Sequence, residues 1–260
     1  MWTISIYFYG MKVALLGSTG LVGKNVLKIL ARLDQVESVY CPVRTVPDFQ
    51  ELKIFQGYSK IRFEQINFRQ ILDKTKFPNG SGEETEKIKQ NFLNCEAVVC
   101  CLGTTLKQAG SKKAQEKVDL CLPLTLAAIA KKQSVRHFLC VSAMGANTSS
   151  PFFYNRLKGM LEEGLTMVNF DGLTLVRPSL LLGRHKDKRI GEEFLQKIFG
   201  KHPELVPARF RPVHAETVAA HLCASLLKPP FEHICASDGV KGKRIVYNRI
   251  LAQTKVEEFV

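Results

Sequence analysis

The 260-residue chain lacks the features that mark several special classes of protein. It has no internal repeat and no low-complexity segment, and no uninterrupted apolar run approaches the ~18 residues that a membrane-spanning helix needs. Acidic residues are scarce, 24 against 37 basic ones, which gives a formal net charge of +13. With 45% apolar and 23% charged residues, the composition is typical of a folded globular protein and excludes a disordered or collagen-like chain.

The basic balance is compatible with an anionic small molecule, a nucleic acid or a membrane surface. The basic run Arg184–Arg189 has no interleaved aromatic residues, so it is more typical of a solvated loop than of a nucleic-acid platform. We therefore expect neither a nucleic acid nor a membrane as a partner. The apolar residues 1–10 have no basic region before them, so we expect no signal peptide. They form either a short edge strand or an extension ahead of a true start at Met11.

Metal-ligand and disulfide spacings are also missing from the eight cysteines. None of them forms a C-x-x-C pair, and none has a histidine at metal-ligand spacing. Most lie in apolar runs, as Cys100 and Cys140 do, which indicates reduced core residues. We therefore predict no metal site and a cytoplasmic location.

Short apolar runs alternate with amphipathic segments along the chain. Continuous apolar strands separated by helices predict a parallel sheet covered on both faces, in a doubly wound α/β fold. We predict a single domain, with a dinucleotide-binding core over 11–182 and a small substrate-side segment over 183–260. The predicted strands are Lys12–Leu16, Val36–Val43, Ile61–Phe68, Ala97–Leu102, His137–Ser142 and Leu173–Arg177, and the predicted helices are Leu21–Leu33, Glu83–Leu93, Val118–Lys132, Gly191–Phe199 and Ala215–Leu227.

A glycine-rich turn stands between the first predicted strand and the first predicted helix. Gly17 suits the tight turn, Gly20 lets the backbone approach a pyrophosphate, and Gly23 lets helix and strand pack closely. The free N–H groups of the helix start favour bound phosphates. The sequence therefore predicts a dinucleotide site at this turn, formed by Gly17, Ser18, Thr19, Gly20, Leu21 and Val22.

The end of the second predicted strand carries an arginine and no carboxylate. An NAD-type site has an Asp or Glu about 20 residues past the glycines, where it binds the ribose diol. Here the sequence is Cys41-Pro-Val-Arg-Thr45, and Arg44 can pair with the 2′-phosphate of NADP. We therefore predict NADP(H) as the cofactor.

A tyrosine and a lysine stand four residues apart in a further predicted helix. Ser150 is a candidate N-cap for this helix and Pro151 a suitable first residue, so Tyr154 and Lys158 share one face. A lysine ammonium beside a phenol lowers its pKa and makes the tyrosine a usable general acid or base. Ser142 follows a buried strand twelve residues earlier, where its hydroxyl can polarise a substrate carbonyl.

These motifs together resemble the short-chain dehydrogenase/reductase superfamily, and within it the atypical, extended-like subgroup that includes the Tat-interacting-protein oxidoreductases. The resemblance covers roughly residues 11–227. Its markers are Leu16–Gly23, Cys101–Thr105, His137–Ala143, Tyr154–Gly159, Phe170-Asp171, Arg177-Pro178, Pro212–His214 and Val218-Ala219.

The resemblance implies hydride transfer between a nicotinamide and a small carbonyl or alcohol substrate. It implies a catalytic triad of Ser142, Tyr154 and Lys158, in which Lys158 also bonds the nicotinamide ribose. The family's fourth catalytic residue, a helical Asn, has no assignable counterpart here. The other cofactor contacts that the resemblance implies are Leu102, Gly103 and Thr104 near the ribose, Pro178 and Leu180 at the carboxamide, and Asn67 and Phe68 near the adenine.

The substrate is expected between the strand ends and the segment after Leu182, with apolar lining from Phe152, Phe153, Phe194 and Phe210 or with these residues in the core. His214 is a weaker candidate for a substrate contact. Two other functions stay open: a weakly catalytic NADP(H) sensor that binds a protein partner, and an enzyme like the nucleotide-sugar epimerases. The resemblance also makes a homodimer possible.

Overall fold

The computed structural model describes residues 10–47, 59–74, 82–183, 207–228 and 242–253. The predictions for 1–9, Arg184–Arg189, Gly191–Phe199 and Phe194 lie outside these residues. The described strands are β1 (Met11–Leu16), β2 (Val36–Val43), β3 (Ile61–Gln65), β4 (Ala97–Cys100), β5 (His137–Val141), β6 (Gly172–Arg177), β7 (Leu181–Leu182), β8 (Val213–His214) and β9 (Lys243–Tyr247). The described helices are α1 (Leu21–Arg32), α2 (Phe68–Lys74), α3 (Glu83–Phe92), α4 (Leu106–Ala109), α5 (Lys112–Glu116), α6 (Leu122–Lys132), α7 (Phe153–Val168), α8 (Ala215–Leu226) and α9 (Asn248–Leu251).

Seven of these strands form one parallel sheet in the order β3-β2-β1-β4-β5-β6-β9. The order reverses between β1 and β4, and in doubly wound sheets ligands bind in the crevice outside the carboxyl ends of the strands at that point. The glycine-rich turn after β1 and the loop after β4 therefore face each other across this crevice. The doubly wound parallel α/β fold predicted from the sequence is confirmed.

The hydrophobic core forms two layers, one on each face of the sheet, because successive strand residues point to opposite faces. Leu16 and Phe138 point into the layer under α2, α3, α6 and α7, whereas Leu15 and Leu139 point into the layer under α1 and α8. Burial of both faces explains why β1, β4 and β5 are continuous apolar runs. In the described residues, no helix is long and apolar enough to cross a membrane.

The chain departs from the predicted helices near the loop after β4. The sequence predicts a loop over 104–113, between the strand Ala97–Leu102 and the helix Val118–Lys132. The segment instead contains α4 and the start of α5, because Thr105 caps α4 through a capping box with Gln108 and Ser111 caps α5. The predicted helix Val118–Lys132 is not uniform: Lys117–Cys121 form a π-helical turn before α6. Such turns are frequent at functional sites.

The start of α7 also differs from its prediction. The helix begins at Phe153, with Phe152 as its N-cap, so Ser150 and Pro151 precede the helix. Ser150 Oγ accepts a hydrogen bond of 3.3 Å from the backbone N–H of Phe152 and thereby stabilises the approach to the helix instead of its first turn.

A buried histidine at the start of β5 makes the stability of this fold sensitive to pH. His137 is 3% exposed, and its Nε2 lies 3.0 Å from Thr174 Oγ1. Burial, and secondarily the positive charge of Arg244, lowers the pKa of His137 to about 3. Below pH ~6.5 the unfolded chain therefore binds a proton that the folded protein does not bind, so the free energy of unfolding decreases as the pH falls.

We expect the slope contributed by His137 to approach 1.4 kcal/mol per pH unit, roughly, below pH ~5.5. Urea unfolding at a series of pH values measures it. His137→Gln should flatten the slope that the wild type shows, because it removes the titrating group. Equal slopes for His137→Gln and the wild type would contradict this assignment.

Candidate functional site

The glycine-rich turn after β1 is built around close backbone contacts. Gly17 has φ +78°, a left-handed conformation that favours glycine, and a Cβ there would lie 2.8 Å from the carbonyl oxygen of Cys101. A Cβ at Gly23 would lie 2.0 Å from the carbonyl oxygen of Gly17. These contacts hold the start of α1 against the ends of β1 and β4. Among the residues described, no side chain caps α1, whose N-cap is Gly20, so its first N–H groups can bind an anion.

The outer side of this turn fits a dinucleotide phosphate. A Cβ on Gly20 would meet one neighbour within 4 Å, the carbonyl oxygen of Gly17 at 3.3 Å, so its other side is open. Ser18 is 1% exposed, and its buried hydroxyl lies beside the Cys41 thiol, with no nitrogen or oxygen partner among the described residues. Thr19 is exposed beside it. The uncapped helix start offers N–H donors for a pyrophosphate, Gly20 leaves room for it, and the Ser18 hydroxyl, held only by a weakly bonding thiol, can donate as well.

Two further predicted cofactor residues of this turn contribute through packing. Leu21 packs against the segment after β7: a Cβ on Gly183 would lie 2.2 Å from Leu21 Cδ1. Val22 is 6% exposed, within the core layer under α1. The side chain of Val22 therefore points away from the crevice, and its contribution to a bound cofactor is limited to the backbone.

The predicted residues for the adenosine half lie at the ends of β2 and β3. Arg44 directly follows β2 and is exposed. Asn67 is exposed after β3: its backbone N–H donates to Glu84 Oε2 at 2.7 Å, and its side-chain oxygen accepts from the N–H of Arg69 at 3.2 Å. Phe68 is half-buried and packs against the core, so it begins α2 and does not extend β3 as predicted.

The loop after β4 is held by two side chains from α5 and the π-helical turn. Asp119 Oδ2 accepts a hydrogen bond of 2.9 Å from the backbone N–H of Thr104. Gln115 Nε2 donates to the carbonyl oxygen of the same residue at 3.1 Å. Both groups of the Thr104 backbone are therefore fixed, together with Leu102 and Gly103, at the crevice. Asp119 could not be predicted from the sequence, because a lone aspartate in a helical pattern carries no spacing signal.

Tyr154 and Lys158 share one face of α7, one turn apart, as predicted. The Nζ atom of Lys158 lies 5.8 Å from the centre of the Tyr154 ring. Tyr154 is 41% exposed, whereas Lys158 is 2% exposed. The ammonium of Lys158 is thus buried under the tyrosine, inside the protein.

Lys158 is balanced by Asp119. Its Nζ lies 3.1 Å from Asp119 Oδ1, and both side chains are almost fully buried. Burial lowers the pKa of Lys158, but the attraction of Tyr154 and Asp119 outweighs burial and the net pKa is raised, so Lys158 is charged. The pKa of Tyr154 is raised by loss of hydration; Lys158 lowers it and Asp119 raises it again. The pKa of Tyr154 is thus raised on balance, so the net lowering predicted from the sequence was wrong: burial of the phenol outweighs the attraction of the lysine.

Ser142 lies immediately after β5, where it is 3% exposed. Its hydroxyl donates to Glu162 Oε1, on the third turn of α7. Arg177, at the end of β6, donates from Nε to Oε1 at 2.9 Å and to Oε2 at 3.2 Å of the same carboxylate, and from Nη2 to Oε2. Ser142 is thus the end of a buried network that sequence spacing did not reveal. Its single proton points to Glu162, and its oxygen lone pairs stay available.

The loops after β5 and β6 are joined beside Ser142. The N–H of Met144 donates to the carbonyl oxygen of Pro178 at 2.7 Å. The N–H of Val213 donates to the carbonyl oxygen of Leu180 at 3.0 Å. The N–H of Ser179 donates to Asn248 Oδ1 at 2.8 Å. Each carbonyl keeps a second lone pair, which a carboxamide can use.

The candidate substrate-lining residues differ in exposure. Phe152 is 70% and Phe210 is 41% exposed, whereas Phe153 is half-buried against the core. His214 is exposed, with Nδ1 4.0 Å from Glu216 Oε2. The two exposed rings are available to a ligand, and Phe153 serves as core.

The network beneath Ser142 gives a stability prediction. Glu162→Gln should lower the free energy of unfolding by about 3 kcal/mol, because it removes the buried charge that accepts hydrogen bonds from both Ser142 and Arg177. Denaturant unfolding at neutral pH measures the loss. Glu163→Gln is the matched control, because Glu163 follows Glu162 on α7 but is exposed and accepts one hydrogen bond, from Thr148. Its replacement should lower the free energy of unfolding by less than about 1 kcal/mol. Similar losses for the two variants would contradict a structural role for the ion pair.

Comparison with solved structures supports the architecture. The chain is similar to a short-chain type dehydrogenase/reductase from Mycobacterium ulcerans, with 17% identity and a TM-score of 0.64 over 96% of this chain and 92% of that chain. It is also similar to the enzyme WbmH of Bordetella bronchiseptica, solved in complex with NAD⁺, with 14% identity and a TM-score of 0.58 over 84% of this chain and 73% of that chain. The chain therefore shares the fold of these two solved proteins.

Two curated relatives cover most of the chain. The protein is 31% identical over 189 residues to "Protein FMP52, mitochondrial" of Candida albicans, across 72% of this chain and 75% of that one. It is 29% identical over 217 residues to "Protein HTATIP2" of Rattus norvegicus, across 84% and 81%. The second name bears out the resemblance to the Tat-interacting-protein group.

The name of the Candida relative overturns the cytoplasmic location predicted above. That prediction was wrong because reduced cysteines exclude only oxidising compartments, and they do not distinguish the cytoplasm from other reducing ones. A family model named HIM1 matches residues 51–202, which is more than half of the chain. The chain, with its parallel sheet, its open glycine turn and its tyrosine–lysine pair, belongs to the HIM1 family.

Proposed function

We propose that the protein is an NADP(H)-dependent oxidoreductase that transfers a hydride to or from a small carbonyl or alcohol substrate. The observation that carries this proposal is the position of Tyr154 and Lys158. They stand at the carboxyl edge of the sheet, joined through Asp119 to the loop that borders the glycine-rich crevice. A protonated phenol beside a buried ammonium at such an edge is suited to exchange a proton with a substrate oxygen.

The residues present fit a nicotinamide dinucleotide. The uncapped start of α1 and Ser18 would hold the pyrophosphate, Gly103 and Thr104 would border the ribose, and Lys158 would bond its hydroxyls. When bound, such a cofactor supplies or accepts the hydride. The chain itself binds, orients and exchanges protons.

Three side chains divide the work on the substrate. In reduction, the Tyr154 hydroxyl gives its proton to the substrate oxygen; in oxidation, the phenolate takes it back. Lys158 stabilises the phenolate that forms in between. Ser142 holds the substrate oxygen: its lone pairs accept from an alcohol, and for a carbonyl its proton turns from Glu162 towards the substrate.

One observation favours a second function. The donation from Ser142 to a charged carboxylate is a strong hydrogen bond, and it competes with donation to a carbonyl. A weakly catalytic protein that binds NADP(H) and presents a cofactor-dependent surface to a protein partner would be compatible with this arrangement. Cofactor-dependent partner binding that survives Tyr154→Phe would favour it.

The fungal relatives that are named as mitochondrial support a mitochondrial location for this protein. Mitochondrial import of the full chain, measured by fractionation, tests this location. The substrate remains a small carbonyl or alcohol compound in either compartment.

Removal of the tyrosine hydroxyl tests the enzyme. Tyr154→Phe should lower kcat by about 10²–10⁴-fold, the usual range for loss of a general acid, and leave cofactor affinity within a few-fold. A panel of aldehydes and ketones, followed by NADPH consumption, measures the rate. Tyr40→Phe is the matched control, since Tyr40 donates to Glu64 away from the crevice and its loss should leave kcat intact. Turnover that survives Tyr154→Phe would contradict the proposed role.

Replacement of the arginine after β2 tests the choice of cofactor. Calorimetric titration should give tighter binding of NADPH than of NADH. Arg44→Ala should weaken the affinity for NADPH by roughly tenfold to a hundredfold, which is what a hydrogen bond between charged groups contributes. The affinity for NADH should stay unchanged. Lys28→Ala removes the same charge from the exposed side of α1 and should change neither affinity. A preference for NADH would contradict the assignment of Arg44.

A further inference from the structure

The strongest unassigned feature is a buried carboxylate in contact with the candidate catalytic lysine. Asp119 is 0% exposed and lies 3.1 Å from Lys158 Nζ. The two residues come from elements far apart in the sequence, the π-helical turn and α7. A buried charge pair costs desolvation on both sides, so it persists only where it has good geometry and further hydrogen bonds.

Asp119 has such a further bond, and it leads to the crevice. Its second oxygen accepts from the N–H of Thr104, so one carboxylate joins the lysine to the loop bordering the predicted cofactor site. The π-helical turn, with its extra residue, sets the side chain of Asp119 inward between them. The nearest atom to a Cβ on Gly103 would also be Asp119 Oδ1, at 3.4 Å. The carboxylate therefore fills the space between loop and lysine.

The charges around Tyr154 come from three elements. Lys158 lies below it on α7, Asp119 faces it from the π-helical turn, and the Cys140 thiol faces it from β5. Lys158 in turn faces Tyr154, Asp119, Cys140 and Cys100. Among these groups, Asp119 is the charged one that opposes Lys158. The field of the ammonium at the Tyr154 hydroxyl is thus partly cancelled.

We propose that Asp119 is a positioning and charge-balancing residue, which locks Lys158 to the loop after β4 and offsets part of the lysine charge at the Tyr154 hydroxyl. This proposal rests on the proposed function for its meaning in catalysis. It favours the protonated form of Tyr154, which donates a proton in the reduction of a carbonyl. Oxidation of an alcohol by the same site depends on the phenolate, so its rate should rise with pH.

The first test measures Tyr154 itself, in the full-length protein without cofactor or substrate. ¹³Cζ-tyrosine NMR follows the phenolate, and the signal of Tyr154 is assigned by its loss in Tyr154→Phe. In Asp119→Asn, the ionisation of Tyr154 should shift down by about one pH unit, because the lysine charge is no longer opposed. At a pH well below both midpoints this shift raises the phenolate fraction roughly tenfold. An unchanged ionisation would overturn the proposal.

Gln115→Ala is the matched control for the loop. It removes the other side chain that fixes Thr104, but it carries no charge. It should loosen the loop and leave the Tyr154 ionisation in place. A shift equal to that of Asp119→Asn would assign the effect to loop movement and would overturn the charge-balancing role.

A double variant keeps the proposal testable if Asp119→Asn alone does not fold. Asp119→Asn combined with Lys158→Met replaces the buried pair by neutral groups of similar size, a change that proteins often tolerate. If the two charges balance, the Tyr154 ionisation in this double variant should lie within about half a pH unit of the wild type. If Asp119 has no effect, loss of Lys158 alone should raise it by about one unit or more.

The pH profile of turnover separates this inference from the proposed function. Where turnover exists, the alkaline fall of carbonyl reduction should begin about one pH unit lower in Asp119→Asn than in the wild type. A protein without turnover would refute the proposed function and leave the NMR result to decide on Asp119.

Discussion

The ion pair between Lys158 and Asp119 is the interaction on which the candidate site depends. It links the helix that carries the tyrosine to the loop after β4, and through that loop to the side of the crevice opposite the glycine turn. Without this ion pair, a buried ammonium and a buried carboxylate would each lack the opposite charge that offsets the cost of their burial. A second network runs from Arg177, at the end of β6, through Glu162 to Ser142, which follows the neighbouring strand β5. The first network contacts Lys158, which lies beside the Tyr154 ring, and the second contacts Ser142.

Much of the fold could be predicted from the sequence, because its physical causes are local. Burial of both faces makes the strands β1, β4 and β5 apolar throughout, and the 3.6-residue period of α1 is visible in its apolar residues. Gly17 and Gly23 are required by backbone contacts that a short motif describes completely. Boundaries were less accurate: capping by Thr105 and Ser111 turned a predicted loop into two short helices.

The carboxylates of the site could not be predicted, for a physical reason. Asp119 and Glu162 act through partners 39 and 15 residues away, at Lys158 and Arg177, and neither pair has a fixed spacing that chemistry requires. Only the folded chain shows that they are buried. Tyr154 and Lys158, by contrast, meet one helical turn apart, so spacing alone brought them together. The cellular location was predicted wrongly for a different reason. Buried thiols indicate how the core packs, and they do not indicate the compartment in which the protein works.

The last described strand has a consequence for how the site forms during synthesis. β9 completes the sheet beside β6, and Asn248, directly after it, donates to the carbonyl oxygens of Ala208, Arg209 and Arg211 while it accepts from Ser179. These bonds fix the loop that carries Pro178 and Leu180. Because chains emerge from the ribosome N-terminus first, the glycine turn can form long before this loop is fixed. The nascent protein therefore passes through a stage with its nucleotide half assembled and its substrate half open, and a ribosome stalled before residue 248 would hold it there.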